Sequence, residues 1–178
     1  TMDETYHHLT REISEIIKEN SLEIPLVING AEINDREAEL GVDPNNNGAV
    51  WYKYKVAKES DIENAVKAAV RAGDDWEKIG SDARAEILQN FAKIAFSEQE
   101  QTIAIMSKDA GKTVAEADPE VSEAIDFALF YAQSAKDLNL TKDSAPTGVT
   151  VVVPPWNFPY AIPCGGICAA LAAGNSVI

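Results

Sequence analysis

Residues 151–178 read VVVPPWNFPYAIPCGGICAALAAGNSVI. Three β-branched residues run into Pro154 and Pro155, followed by Trp156, Asn157, Phe158 and Pro159. With the two residues before it, VTVVVP (149–154) has the composition of a strand buried on both faces, the kind found in parallel sheets. A helix is predicted from Pro159, at its first position, to about Ala173, with Gly174 ending it. It is apolar almost all round, which predicts burial. NSVI (175–178) begins a second strand. Strand, buried helix, strand makes a βαβ unit, so the fold class is α/β. One such unit is too little for a doubly wound sheet. The chain is therefore expected to be the opening part of a larger domain that continues past Ile178.

Working back from this unit, the chain reads as helix-rich. NLTKDSAPTG (139–148) is a loop. Before it, Thr113-x-x-Glu116 is a capping box opening a helix with Val121, Ala124, Ile125, Ala128, Leu129 and Ala132 at a 3.6-residue period. A helix starting near Ser81 carries Ile87, Leu88, Phe91, Ile94 and Ala95. It breaks near Ser97 and ends at Gly111, a C-cap. Ser60-x-x-Glu63 opens another, whose predicted buried face is Ile62, Ala65, Val66, Ala69 and Val70. IPLVING (24–30) and AVWYKYKVA (49–57) read as strands, with DPNNNGA (43–49) as turn chemistry between them. Residues 8–19 read as an acidic amphipathic helix with Leu9, Ile13, Ile16 and Ile17 on one face. No repeat and no low-complexity segment is present.

The 178 residues allow one good core and little more. A net charge of −14 argues against nucleic acid and anionic membranes as partners. The N-terminus is polar and acidic with no apolar stretch of a signal peptide, which points to a cytoplasmic chain. No apolar run approaches the ~18 residues of a membrane span. Asn139 opens an Asn-Leu-Thr sequon that matters only in a secreted protein. Cys164 and Cys168 are the only cysteines, four apart on one helical face. They read as packed thiols, since no base, cation or metal-ligand partner stands beside them in sequence and the only histidines are His7 and His8.

Ligands in open α/β sheets bind beyond the carboxyl ends of the strands. The PPWNFP corner stands at such an end. Proline fixes φ and removes a donor, so the corner is stiff and holds Asn157 in one place. A carboxamide N–H donates without titrating, which suits a donor aimed at a developing oxyanion. The alternative is that Asn157 only shapes the turn before Pro159. AGKT (110–113) ends like a phosphate-binding loop, but that motif requires glycine where Met106 stands, so it reads as a helix end. CGGICAALAAG (164–174) never spells G-x-G-x-x-G; its small residues suit close helix–sheet approach. Glu116, Asp118, Glu120, Glu123 and Asp126 read as a solvated helix face.

Taken together, PWNFP and ALAAGN closely resemble signature stretches of the aldehyde dehydrogenase superfamily. VING resembles that family's opening hairpin. DIENAVKAAVRAGDDWEKIGSDARAEIL and KDAGKTVAEADPEVSEAIDFALFYA are similar to its following helices. Within the family, the leading helix, IPLVINGAEI, EADPEVSEAIDFALFYA and the doubled proline most resemble the Δ1-pyrroline-5-carboxylate dehydrogenases. These oxidise L-glutamate γ-semialdehyde to glutamate in proline catabolism, and in some bacteria form the second half of a bifunctional proline-utilisation protein.

The resemblance implies the N-terminal part of a Rossmann-like NAD-binding domain, topologically incomplete. Residues 1–20 would be an N-terminal helical arm and 21–178 a partial NAD-binding domain with opening hairpin, three helices and first βαβ unit. It implies a cysteine thiolate that attacks the aldehyde, hydride transfer to NAD, and hydrolysis of the thioester helped by a glutamate base. Asn157 matches the oxyanion-hole asparagine. Pro154, Pro155, Trp156 and Asn157 match the backbone lining the nicotinamide side of the cofactor cleft. The implied partners are a small aldehyde and the remainder of the dehydrogenase chain, in a homo-oligomer when complete. The nucleophilic cysteine, the glutamate base and the ribose-binding lysine fall beyond Ile178 in the family, and neither Cys164 nor Cys168 stands at the nucleophile's position. The chain alone is thus expected to be inactive. The segment from Tyr131 to Gly148 is shorter than usual, which puts the customary dimer flap in doubt. Two further readings stay open: another aldehyde dehydrogenase subfamily, and a non-catalytic interaction module derived from one.

Overall fold

The computed structural model describes His8, Arg11 and residues 22–138 and 145–178. Apart from the helical His8 and Arg11, the amphipathic helix expected over 8–19 and the sequon at Asn139 lie outside the described residues. His8 Nδ1 stands 2.8 Å from Glu100 Oε2.

Among the described residues seven short strands form three small sheets. IPLVING, expected as one strand, is divided by Pro25 into β1 (Leu22–Ile24) and β2 (Leu26–Ile28), because proline cannot donate to a ladder. β2 pairs antiparallel with β3 (Ala31–Ile33) through a tight turn. Asn29 and Gly30 take positive φ there, 53° and 74°, as the favoured hairpin turn requires. β4 (Ala38–Asp43) pairs antiparallel with β5 (Ala49–Lys55), and β1 lies parallel on the other side of β5. The predicted turn between β4 and β5 closes on Asp43, whose carbonyl accepts Gly48 N–H at 3.0 Å. β6 (Val149–Thr150) and β7 (Ser176–Val177) run parallel.

Five helices lie within residues 22–138 and 145–178: α1 (Glu59–Lys78), α2 (Gly80–Ser97), α3 (Gln99–Ala110), α4 (Val114–Leu138) and α5 (Ala161–Ala172). The expected break near Ser97 falls at Glu98, between α2 and α3. Gly111 ends α3 at φ 69°, and a Cβ there would approach Pro44 Cγ to 3.2 Å, so glycine is required twice over. α4 opens as predicted: Thr113 N–H and hydroxyl donate to Glu116 Oε2 at 2.9 and 2.8 Å. α1 does not use the expected Ser60–Glu63 box. Its cap residue is Lys58, whose N–H donates to Asp61 Oδ2 at 2.9 Å. Arg36 fixes that carboxylate from the other side with two hydrogen bonds of 2.7 and 2.8 Å.

The main core lies between α2, α4 and α5 and is built largely of alanine. Ala85, Leu88 and Ala92 meet Ala124, Ala128, Ala132 and Ala135, with Cys164, Cys168 and Ala172 closing the third side. Small side chains allow the axes to come close. A second cluster joins Ile103 and Met106 of α3 to Ala117 and Val121 of α4. The buried faces therefore differ from those expected on α1 and α2. Ile62, Val66, Val70, Ile87, Ile94 and also Leu129 of α4 are exposed in this chain. The interhelical seams select the alanine stripes, which simple hydrophobic periodicity ranks below the branched residues.

Candidate active site

β6, α5 and β7 form the predicted βαβ unit, and parallel pairing runs one step past β6, from Val152 N–H to Ile178 carbonyl at 2.9 Å. α5 lies tight against this strand on one side and α4 on the other. A Cβ on Gly166 would stand 2.9 Å from Val152 Cγ1, and one on Gly165 3.0 Å from Phe127 Cδ2. The small residues thus serve close approach, as the sequence suggests.

Three side chains fix the C-terminal end of α5. Trp76 Nε1–H donates to the Leu171 carbonyl at 3.0 Å. Arg84 donates to the Ala172 carbonyl at 3.3 Å and to the Glu77 carbonyl at 3.0 Å, placing a cation at the carbonyl ends of two helices. Burial depresses the pKa of its guanidinium. Asn175 Oδ1 accepts from the N–H groups of Thr147 and Gly148 at 2.7 and 3.0 Å, while its Nδ2 donates to the Ala170 carbonyl at 3.2 Å. Sequence reasoning assigns Asn175 no role. Its position directly after the helix-ending Gly174 is the available signal, since asparagine bridges backbone groups in such turns.

Between these anchors the chain leaves the sheet at Val153 and turns through Pro154, Pro155, Trp156 and Asn157. The expectation of burial on both strand faces fails here: Val153 is 84% and Val151 63% exposed, because no described element lies over that side. Trp156 is 83% exposed, and Pro155 and Asn157 are also exposed, with Pro154 half-buried. All four candidate residues therefore share one turn beyond the carboxyl end of β6. Among the described residues nothing hydrogen-bonds the Asn157 carboxamide. Its donors are unpaired there, and the adjoining Val153 and Trp156 side chains are exposed apolar surface.

The far side of the turn is held by a residue the sequence reading misplaces. Glu120, expected on a solvated face, is 3% exposed. Its Oε1 accepts the N–H groups of Tyr160 and Ala161 at 2.7 and 3.1 Å, and its Oε2 pairs with Lys112 Nζ. Those two N–H groups open α5 and have no partner within the helix. This also accounts for the later helix start: α5 begins at Ala161 rather than at Pro159, under a cap supplied from α4. The Lys112 ammonium lies 4.3 Å from the centroid of the Phe158 ring.

Cys164 and Cys168 are buried with their sulfurs 3.7 Å apart. The contact with Cys168, together with burial, pushes the Cys164 thiol pKa up, which opposes the thiolate a nucleophile needs. Among the described residues no group of three or more His, Cys, Asp or Glu could hold a metal ion. Among them, too, no helix is long and apolar enough to cross a membrane.

A model of the aldehyde dehydrogenase family matches residues 32–178, the corner and βαβ unit included. The chain belongs to the aldehyde dehydrogenase family. A 1-pyrroline-5-carboxylate dehydrogenase of Staphylococcus epidermidis is 36% identical over 88% of this chain and 33% of its own length. The bifunctional protein PutA of Salmonella typhimurium is 42% identical over 68% of this chain and 9% of its own length. The crystal structure of a Thermus 1-pyrroline-5-carboxylate dehydrogenase with bound NAD superposes with a TM-score of 0.91 at 27% identity, over 98% of this chain and 36% of that one. The chain thus spans about a third of the length of the 1-pyrroline-5-carboxylate dehydrogenases it matches. The α/β architecture expected from the sequence is the one these relatives share.

Proposed function

We propose that this chain is the N-terminal part of an NAD-dependent dehydrogenase that oxidises L-glutamate γ-semialdehyde to glutamate. The observation that carries the reading is the Asn157 carboxamide, exposed and unpartnered among the described residues beyond the carboxyl end of β6, in a chain that resembles 1-pyrroline-5-carboxylate dehydrogenases along most of its length. NAD, when bound, supplies the hydride acceptor. Pro154, Pro155 and Trp156 would form part of the surface facing its nicotinamide, and none of them titrates. Asn157 Nδ2–H would donate to the aldehyde oxygen as negative charge gathers there. Because the donor is held before charge develops, little reorganisation accompanies the reaction. The nucleophile and the general base come from outside residues 1–178. A cytoplasmic location, a homo-oligomeric assembly, an N-terminal arm over 1–20 and a partial cofactor domain over 21–178 belong to the same reading.

The test is to express the full reading frame that carries this segment and assay NAD reduction with glutamate semialdehyde beside succinate semialdehyde, acetaldehyde and benzaldehyde. Preference for glutamate semialdehyde in kcat/KM is expected. Preference for another aldehyde refutes the substrate, and no oxidation of any refutes the enzyme reading. The 178-residue chain alone should show no turnover.

A further inference from the structure

We propose that Glu120, together with Lys112, is a positioning residue for Asn157. The inference rests on the dehydrogenase reading above and adds to it the means by which the corner is held. Asn157 itself makes no hydrogen bond among the described residues, so its direction is set by the chain on either side. On the near side, Val152 is tied to Ile178 by backbone pairing at 2.9 Å, and Pro154 and Pro155 stiffen the path from there to Trp156. On the far side, Phe158, Tyr160 and Ala161 are each engaged. Lys112 Nζ covers the Phe158 ring at 4.3 Å, and Glu120 Oε1 takes the Tyr160 and Ala161 N–H groups at 2.7 and 3.1 Å. Three of the four residues after Asn157 are therefore held by a single buried ion pair.

The clamp suits this task. A carboxylate at a helix N-terminus satisfies orphan donors and opposes the helix dipole. Hydrogen bonds to an ionised acceptor are shorter and stronger than neutral ones. Lys112 neutralises the charge that burial would otherwise penalise. It also follows Gly111 directly, so the α3–α4 turn and α4 both reach the corner. Loss of the pair would free the N-terminus of α5 and let Asn157 swing and the adjoining Trp156 loosen with it, while Pro154 and Pro155, tied to the strand, stay in place.

In the full-length enzyme, kcat for the aldehyde should fall on the order of tenfold or more in Glu120→Ala, since a displacement of ~1 Å in a catalytic group costs up to about 10²-fold. NAD affinity, read by fluorescence titration, should change far less than kcat. Glu120→Gln keeps a carbonyl acceptor for the two N–H groups and should lose less. Lys112→Met should fall between the two. The deciding measurement is the double mutant. If Glu120 acts through Asn157, Glu120→Ala adds little once Asn157→Ala is present; full additivity overturns the proposal. A second readout needs no turnover. With 5-fluorotryptophan labelling, the Trp156 resonance, assigned by Trp156→Phe, should broaden in Glu120→Gln while those of Trp51 and Trp76 stay fixed. An unchanged Trp156 line together with unchanged kcat also overturns it. Because Glu120→Gln retains a cap for α5, these tests stand even if Glu120→Ala does not fold. An inactive wild-type enzyme would instead refute the dehydrogenase reading, while the fluorine spectrum would still judge the clamp.

Discussion

Gly166 faces Val152 so closely that a Cβ on the glycine would stand 2.9 Å from a valine methyl. The spacing between α5 and the strand leading to the corner is thus set by a missing side chain. Gly166→Ala should cost about 1–3 kcal/mol, the usual range for overpacking. Val152→Ala should recover part of that loss by removing the methyl group that clashes. Urea unfolding of the two single mutants and the double mutant checks the coupling; simple additivity would mean the contact is not what sets the spacing.

Arg84 joins the carbonyl ends of α1 and α5 through Glu77 and Ala172. Arg84→Ala removes these bonds and leaves the carbonyls buried, which should cost roughly 2–4 kcal/mol. Arg84→Lys should recover only part, since an ammonium cannot reproduce the guanidinium fork. A thermal midpoint equal to wild type in Arg84→Lys would show that charge alone suffices.

The Arg36–Asp61 pair makes stability depend on pH. Hydrogen bonds from Arg36 and from the Lys58 N–H hold the Asp61 carboxyl well below the usual carboxylate range. A depressed folded pKa means that the pair's contribution is fully present above the unfolded value of about 4 and is lost as pH falls below it toward the folded value. The stability difference between wild type and Asp61→Asn should therefore stay constant from about pH 5 to pH 8 and shrink below about pH 4. Denaturant midpoints across this range measure it. A difference that grows on acidification would reverse the assignment.

What the sequence reveals is local. Thr113 and Glu116 lie within one turn of each other and Gly111 marks its own left-handed cap; each is readable because the partners are near neighbours in the chain. The equally local Asn29-Gly30 turn is instead taken into the strand IPLVING, and a hairpin there comes only from the family resemblance. β4 is hidden because AELGVD mixes Glu, Gly and Asp, which are poor strand formers alone. Its pairing with β5 comes from tertiary contact, and the ring of Tyr52 fills the place of a Gly41 side chain. Asn157 stands out because prolines frame it. Glu120 does not: it sits in a run of acidic residues, and only the arrival of α5 after a long excursion of chain shows what its carboxylate holds.

Asn157 itself separates two accounts of the corner. If its carboxamide stabilises the oxyanion, the bond it makes exists only after the thiolate has attacked, so it belongs to the transition state. In the full-length enzyme, Asn157→Ala should then lower kcat/KM by on the order of 10²-fold, about 3 kcal/mol, the usual loss for one such donor. NAD affinity should hold. Stability should also hold, because the side chain is exposed and water replaces it. If Asn157 only shapes the turn, the same change should cost roughly 1 kcal/mol of stability and leave the chemical step nearly intact. Steady-state kinetics and the denaturant midpoint, taken on one preparation of the mutant, distinguish the two. Normal turnover in a destabilised mutant would end the oxyanion reading.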